Sequence, residues 1–510
     1  MKHRYYILIV LLFTCFISGC SDFLEESSQD EVRPGSINDL EQLMLYEAYP
    51  RTGYFTNYLD LLTDDVKSGY PGEDDPSSLN SLLSGQTVFT WSDKMFEDLE
   101  TKHVPYYNTW EVYYKRIMGC NVVLDMIDKV VGTYEDKENQ RGQALALRAY
   151  YYFMLVNLFG QPYNAEGVDI EKAPGVPLIL ESAVKDDFPK RESVAQVYRR
   201  IEKDLLEAAP LMEQYGKLNI KYKVTDLFVH ALLSRVYLYM EKWDKSLEHA
   251  NYVIKRQPTL QRLATNFGMT SDGGWGTSVN VYDQASSEVI WSFSHSNEYF
   301  FFVPVSPGTS PSYSVSEELE KLYEYNDSDD DNRLDLRRVC YYREYVVGMS
   351  FFPVFKMITS PLNGNKSRYI NNANTQKGMR VAEMYLNRAE CNIRMYLENG
   401  DKNLKDAAMK DLNYLRECRY DTRYADYVEY VVENDSELLN FYKDERRREL
   451  SFEEHRWFDL RRYGMPELKH TLTLVAGQPQ VYTLPAKGKR YVLPIALKVL
   501  EKNPNLEVNP

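Results

Sequence analysis

Histidine and cysteine are scarce, at seven and six residues in a chain of 510. His3 lies at the very start, so little imidazole remains for a metal centre or a nucleophile–base pair. Beyond Cys15 and Cys20, the cysteines are Cys120, Cys340, Cys391 and Cys418, with neither CxxC nor mixed Cys/His zinc spacing. Four scattered thiols are not a disulfide framework, and buried free cysteines are expected. After the N-terminal segment no apolar run approaches the roughly 18 residues that would mark a spanning helix. Positive charge is in deficit, with 60 Lys and Arg against 75 Asp and Glu and a net charge of −15. That balance makes nucleic acid a poor partner and gives no charge attraction to an anionic membrane surface. No GxSxG, HExxH, Walker A or strand-following GxGxxG pattern occurs. No catalytic residues and no resident metal or cofactor are expected.

The N-terminus sets location. Lys2, His3 and Arg4 are basic, and Tyr5 to Ile17 is apolar but shorter than the roughly 20 residues a spanning helix needs. Ile17-Ser-Gly-Cys20 has the small-residue spacing of a lipobox, so residues 1–19 read as a signal peptide and Cys20 as the lipidation site. Two or more acyl chains on that cysteine would anchor stably. The polar stretch 20–37, with Pro34-Gly35, reads as a tether.

Length alone suggests two to four domains, and residues 38–510 read as mainly α. A first helix follows Ser36, where Asn38 and Asp39 offer further capping groups. Thr63-Asp-Asp to Ser84 is rich in Asp, Ser, Pro and Gly and reads as an exposed loop. Pro105–Val131 and Glu138–Phe159 read as paired helices, the second apolar almost all round and deeply buried. Between Lys223 and Pro258, Ser234, Tyr237, Trp243, Ser246 and Pro258 fall near the small, aromatic and Pro positions of a tetratricopeptide unit. Small residues there let two antiparallel helices approach closely. A second pair spans Val381 to Cys418, broken at Glu398-Asn-Gly-Asp. Tetratricopeptide-like pairs thus form a scaffold with a few short strands, one at Ser287–Phe293. Long irregular excursions interrupt it, at about 64–98, 270–315 and 341–377.

Lys443–Gly464, KDERRRELSFEEHRWFDLRRYG, reads as one helix with Leu450, Trp457 and Leu460 on a common face. Helical spacing pairs Glu445 with Arg448, Glu453 with Arg456, and Asp459 with Arg462. Neighbouring Glu453, Glu454 and His455 diverge on a helix and do not converge on one substrate atom, so an ion-pair and aromatic latch is the better reading. Asp327, Asp329 and Asp331 share the odd spacing of a calcium loop, but Asn332 and Arg338 replace its Gly and Glu, so a solvated loop is favoured over calcium. Asp64/Asp65 and Asp74/Asp75 are adjacent loop acids rather than a cleft pair for glycoside hydrolysis. What remains is recognition by aromatic faces, which cover the C–H face of a sugar ring while polar neighbours bond its hydroxyls. Loop aromatics outside helical period are the candidates: Trp91, Trp275 in Gly-Gly-Trp-Gly, Tyr299 and Phe300. Trp110, Trp243, Trp291 and Trp457 lie on regular elements and read as core.

The run from Glu445 to Arg462, the helix pairs and the closing Asn503-Pro-Asn-Leu resemble the SusD/RagB outer-membrane lipoproteins. One departure is Glu454, where that pattern has Gly. The acidic residues after Cys20 resemble a Bacteroidetes surface-export signal. The resemblance implies a single SusD-like domain over residues 38–510, in a cell-surface, lipid-anchored protein that binds an oligosaccharide and delivers it to a TonB-dependent SusC-like transporter. It also implies a glycan-stacking aromatic near Trp91 and a structural role for Asp331-Asn-Arg333. Two rival expectations are an envelope protein–protein scaffold without glycan affinity and, less favoured, a surface glycoside hydrolase.

Overall fold

The computed structural model describes residues 34–50, 58–70, 76–104, 107–183, 188–217, 221–265, 267–269, 275–283, 285–296, 300–302, 311–326, 328, 332–347, 356–360 and 374–509. The signal, Cys20, Asp74, Asp75, Tyr299, the three calcium-loop aspartates and most of 341–377 lie outside the described residues.

Fifteen α-helices are described: α1 (Ile37–Leu43), α2 (Pro76–Phe89), α3 (Met95–Thr101), α4 (Thr109–Met126), α5 (Tyr134–Phe159), α6 (Val194–Tyr215), α7 (Asp226–Tyr239), α8 (Trp243–Arg256), α9 (Glu317–Leu322), α10 (Arg337–Cys340), α11 (Val381–Asn399), α12 (Lys402–Arg419), α13 (Asp435–Leu450), α14 (Arg456–Arg462) and α15 (Leu497–Lys502). Strands are few and short. Among the described residues they form five antiparallel two-stranded ribbons: β1 (Val66–Ser68) with β5 (Tyr313–Val315), β2 (Phe267–Met269) with β3 (Trp275–Thr277), β4 (Val289–Ser296) with β8 (Asn374–Arg380), β6 (Arg343–Val347) with β7 (Lys356–Ser360), and β9 (Leu468–Thr473) with β10 (Pro479–Leu484). The fold is mainly α, as the sequence implies.

Local chemistry sets the helix ends. Ser36 caps α1 in a reciprocal capping box with Asp39. Thr133, Ser193 and Thr225 cap α5, α6 and α7 through their hydroxyls. Gly400 ends α11 at φ 74, the left-handed conformation a side chain resists. From α4 to α8 each helix packs on the next, and α8 then packs on α11, which packs on α12. At the tetratricopeptide-like unit Ser234 and Ser246 are fully buried, with hydroxyl oxygens 3.3 Å apart. The Ser246 hydroxyl donates to the Ser234 carbonyl at 2.8 Å, and the Asn387 amide donates to Ser234 from α11 at 3.2 Å. A larger side chain at either serine would push the helices apart. α5 is buried continuously from Gly142 to Phe159. Its one cation there, Arg148, donates to Asp204 on α6 at 2.9 and 3.0 Å.

Two expectations are corrected. Thr63–Ser84 is not wholly a loop, because α2 occupies Pro76–Phe89 with Leu82, Val88 and Phe89 buried. Its small polar residues sit on a helix whose apolar positions face the core. Lys443–Gly464 is two helices, α13 ending at Leu450 and α14 starting at Arg456, joined by Ser451–His455. Phe452 and Glu454 in that joint have φ of 56 and 65. The residue standing where the resembled pattern has Gly is thus left-handed, a conformation Gly adopts without strain. Leu450, Trp457 and Leu460 are all buried, although they do not share one helix.

Candidate functional site

Trp275 lies on the short hairpin β2–β3, where Met269 pairs with Trp275 and Phe267 with Thr277. Strand alternation puts Phe267, Met269, Trp275 and Thr277 on one face and Gly268 and Gly276 on the other. The Phe267 and Trp275 rings lie nearly parallel, 18° apart with centroids at 5.7 Å. The indole is half-buried at the edge of the core, while Met269 beside it is exposed.

Two guanidinium groups complete the cluster. Arg333 sits 4.2 Å from the Trp275 centroid. Arg423 lies 5.8 Å from Trp275 and 4.9 Å from Phe267. A cation over an aromatic face at these distances is attracted by the ring quadrupole. Both arginines are held from outside the hairpin. Asp421 accepts from the Arg423 side chain at 2.9 and 2.8 Å and from the Arg333 backbone amide at 3.1 Å. Burial alone would raise the Asp421 carboxyl, but the bonds from Arg423 and the Arg333 amide outweigh it and hold the group low. Arg333 also donates to the Tyr325 hydroxyl at 2.7 Å. Bridges Tyr325–Leu334 and Asp335–Tyr420 tie the loop to the end of α12. The arrangement offers a half-buried aromatic plate packed against the buried Arg333 guanidinium, with Arg423 as its partly exposed N–H donor. Asp331-Asn-Arg333 had pointed only to a structural role; the arginine's position against Trp275 required the fold.

Trp91 lies apart from this cluster. Trp91 is only 5% exposed, and its indole N–H donates to the Leu62 carbonyl at 3.0 Å. It stacks on His470 at 4.2 Å, and Phe89 stacks on the same imidazole at 4.0 Å. The turn after α2 gives Trp91 a φ of 53 and directs its ring inward, so it offers no face for stacking. Phe300 begins a short 3-10 turn, Phe300–Phe302, away from β2–β3 in sequence. Trp110, Trp291 and Trp457 are buried, and Trp243 packs half-buried against the core.

The acids are engaged by arginines. Asp64 accepts from Arg456 at 2.8 and 2.7 Å, and Asp65 from Arg447 at 2.6 Å. Burial would raise Asp64, but Arg447 and Arg456 bring it to about 2. Glu453 accepts from Arg380 at 3.0 and 2.7 Å and from the Tyr282 hydroxyl at 2.8 Å, rather than pairing with Arg456. Glu445–Arg448 and Asp459–Arg462 do pair, at 2.7 and 2.8 Å. Among the described residues no three His, Cys, Asp or Glu side chains are grouped to hold a metal ion. Cys120, Cys340, Cys391 and Cys418 are buried and free. No helix among the described residues is long and apolar enough to cross a membrane.

Comparison with known proteins adds the lineage. A family model described as starch-binding and associating with the outer membrane matches residues 22–238, and one described as the SusD family matches residues 347–510. The SusD-like protein P25 of Formosa agariphila is 22% identical over 98% of this chain and 97% of its own length. A SusD-like carbohydrate-binding protein from Bacteroides vulgatus superposes with a TM-score of 0.63 at 21% identity, over 92% of this chain and 97% of its own. A SusD superfamily protein from Bacteroides thetaiotaomicron gives 0.61 at 21% identity, over 93% and 98%.

Proposed function

The chain belongs to the SusD/RagB family, and from that premise we propose that it captures an oligosaccharide at the cell surface and hands it to a TonB-dependent, SusC-like outer-membrane transporter. Cys20 carries the lipid that keeps it on the outer membrane, and residues 38–510 act as one SusD-like domain without catalysis of their own. The observation that carries the reading is the half-buried Trp275 plate with Arg333 and Arg423 fixed beside it. Its exposed portion would take the C–H face of a sugar, and the half-buried Arg423 guanidinium would donate to ring-edge oxygens, with Arg333 buried behind the indole. Tyr299 and Phe300 remain candidates for a second contact. Weak individual contacts suffice when anchor and partner hold the effective concentration high.

Pulling the lipidated protein from outer membranes tests the partner. Recovery of a TonB-dependent porin supports delivery; its absence from the purified material removes that part of the proposal. A scaffold reading draws on the cleft of about 670 Å³ between α8, α11 and α12, lined by Tyr385, Arg388 and Tyr414 among others. It gains if the protein binds no glycan while retaining an envelope partner.

A further inference from the structure

A cavity of about 240 Å³ opens at the C-terminal end of α14, where α11, α13, the 164–166 turn and Lys487 meet. Its charged lining is dominated by Arg394, Lys443, Arg461, Arg462 and Lys487. Two of these cations are spoken for. Arg462 donates to both oxygens of Glu390 at 2.7 Å and to Asp459 at 2.8 Å. Lys487 pairs with Glu166 at 2.6 Å. The other acid in the lining, Glu241, accepts from the Asn164 amide at 2.8 Å.

The remaining three are under-satisfied. Arg461 is 2% exposed and its Nη2 donates to the Gly160 carbonyl, but its Nε and Nη1 have no partner among the described residues. Arg394 bonds Glu390 at 3.2 Å through Nη2, while its own buried Nε also lacks a partner. Lys443 rests over the Tyr463 ring at 4.5 Å with no carboxylate in ion-pair range among the described residues. Buried N–H groups left unbonded are costly, more so on a charged group. A water would satisfy the donors but leave the charge. An oxyanion would do both.

We propose that this cavity binds a small oxyanion, a carboxylate, sulfate or phosphate group, held by Arg461, Arg394 and Lys443. Burial pushes Arg461 down to about 10 and lowers Lys443 as well, in keeping with the excess of positive charge in the lining. The volume lies below the roughly 300 to 1,000 Å³ of sites that enclose larger ligands, so it takes a single charged group rather than a chain. The site shares no residue with the Trp275 cluster and does not depend on the glycan reading.

The test is calorimetric titration of the soluble mature protein with sodium sulfate, sodium phosphate, sodium glucuronate and glucose at matched ionic strength. At least one anion binds and glucose does not. Lys443→Gln weakens that binding at least about tenfold, the loss of one charge-assisted contact, and a folded Arg461→Gln abolishes it. Tighter binding of glucuronate identifies a sugar acid as the source, and tighter binding of sulfate or phosphate a free inorganic ion. Should Arg461→Gln fail to fold by circular dichroism, Lys443→Gln decides. Absence of heat with all three anions, or affinity unchanged in Lys443→Gln, overturns the proposal.

Discussion

Glu449→Gln removes one charge from the centre of the ion network while keeping side-chain shape. The Glu449 carboxylate accepts from Arg337 at 3.2 Å, from Arg419 at 3.0 and 2.9 Å, from Tyr341 at 3.1 Å, and from Arg380. Around it, Arg337, Arg380, Arg416, Arg419 and Arg448 face Asp335, Glu288, Glu445, Glu449 and Glu453, five guanidiniums against five buried carboxylates. Every one of these ten side chains is less than a tenth exposed. Burial opposes ionisation of Glu449, but Arg419 and Arg380 outweigh it and hold the carboxyl well below the usual range. Removing one partner from such a network leaves uncompensated charge and costs about 3 to 5 kcal/mol. Unfolding entropy of about 2.1 cal/mol/K per residue, over 510 residues, converts this to a fall in Tm of about 3 to 5 °C for cooperative unfolding. Thermal unfolding followed by near-ultraviolet circular dichroism measures it. Lys203→Gln is the control, since Lys203 and Glu207 form an exposed pair at 3.7 Å worth at most about 0.5 kcal/mol. A Glu449→Gln protein melting within 1 °C of the parent would refute the argument that the network holds the C-terminal helices.

Further outcomes follow from the same contacts. Trp457, fully buried and stacked on Tyr491 at 5.0 Å, loses about 3 to 5 kcal/mol on replacement by Ala; urea unfolding reads the loss, and a normally folded variant that fails only in sugar binding would reverse its assignment. Acid destabilises the fold in two stages. Burial lowers His249 from 6.5 to about 4, so the unfolded chain binds the extra proton and stability falls as pH drops through that window. Burial would raise Glu390, but Arg462 brings it from 4.5 to about 2, so its share, about 3 kcal/mol, is lost below pH 4.5. Tm measured from pH 7 to pH 3 should therefore fall throughout and most steeply below 4.5; a flat or rising profile contradicts both assignments.

The parts legible in the sequence are those set by neighbours along the chain. Ser234 and Ser246 marked the close helix pair because small residues must face each other there, and Ser36 and Gly400 marked helix ends through local capping chemistry. The buried C-terminal latch was likewise legible in kind, from its density of charge and aromatics. Its partners were not. Arg380, Glu288 and Asp335 reach Glu449 and its neighbours from segments far away in the chain, and no spacing rule connects them. The break at Ser451–His455 has its sign at Glu454, where a non-glycine residue takes a left-handed φ of 65. Trp91 was misplaced for a related reason. Once α2 is a helix, the turn after it sends the indole inward onto His470, which lies on β9. Trp275 kept its candidacy, and the arginines that define its surroundings emerged only from the tertiary structure.

The central claim is that Trp275 contributes the sugar-binding face. Parent and Trp275→Ala proteins, compared side by side on an array of soluble polysaccharides and oligosaccharides, test it directly. The parent should bind at least one glycan, and the variant should remain folded by circular dichroism while losing affinity by roughly tenfold or more, as for a stacking contact of about 1.4 kcal/mol or larger. Equal binding by both proteins, or none by the parent to any glycan, would contradict it.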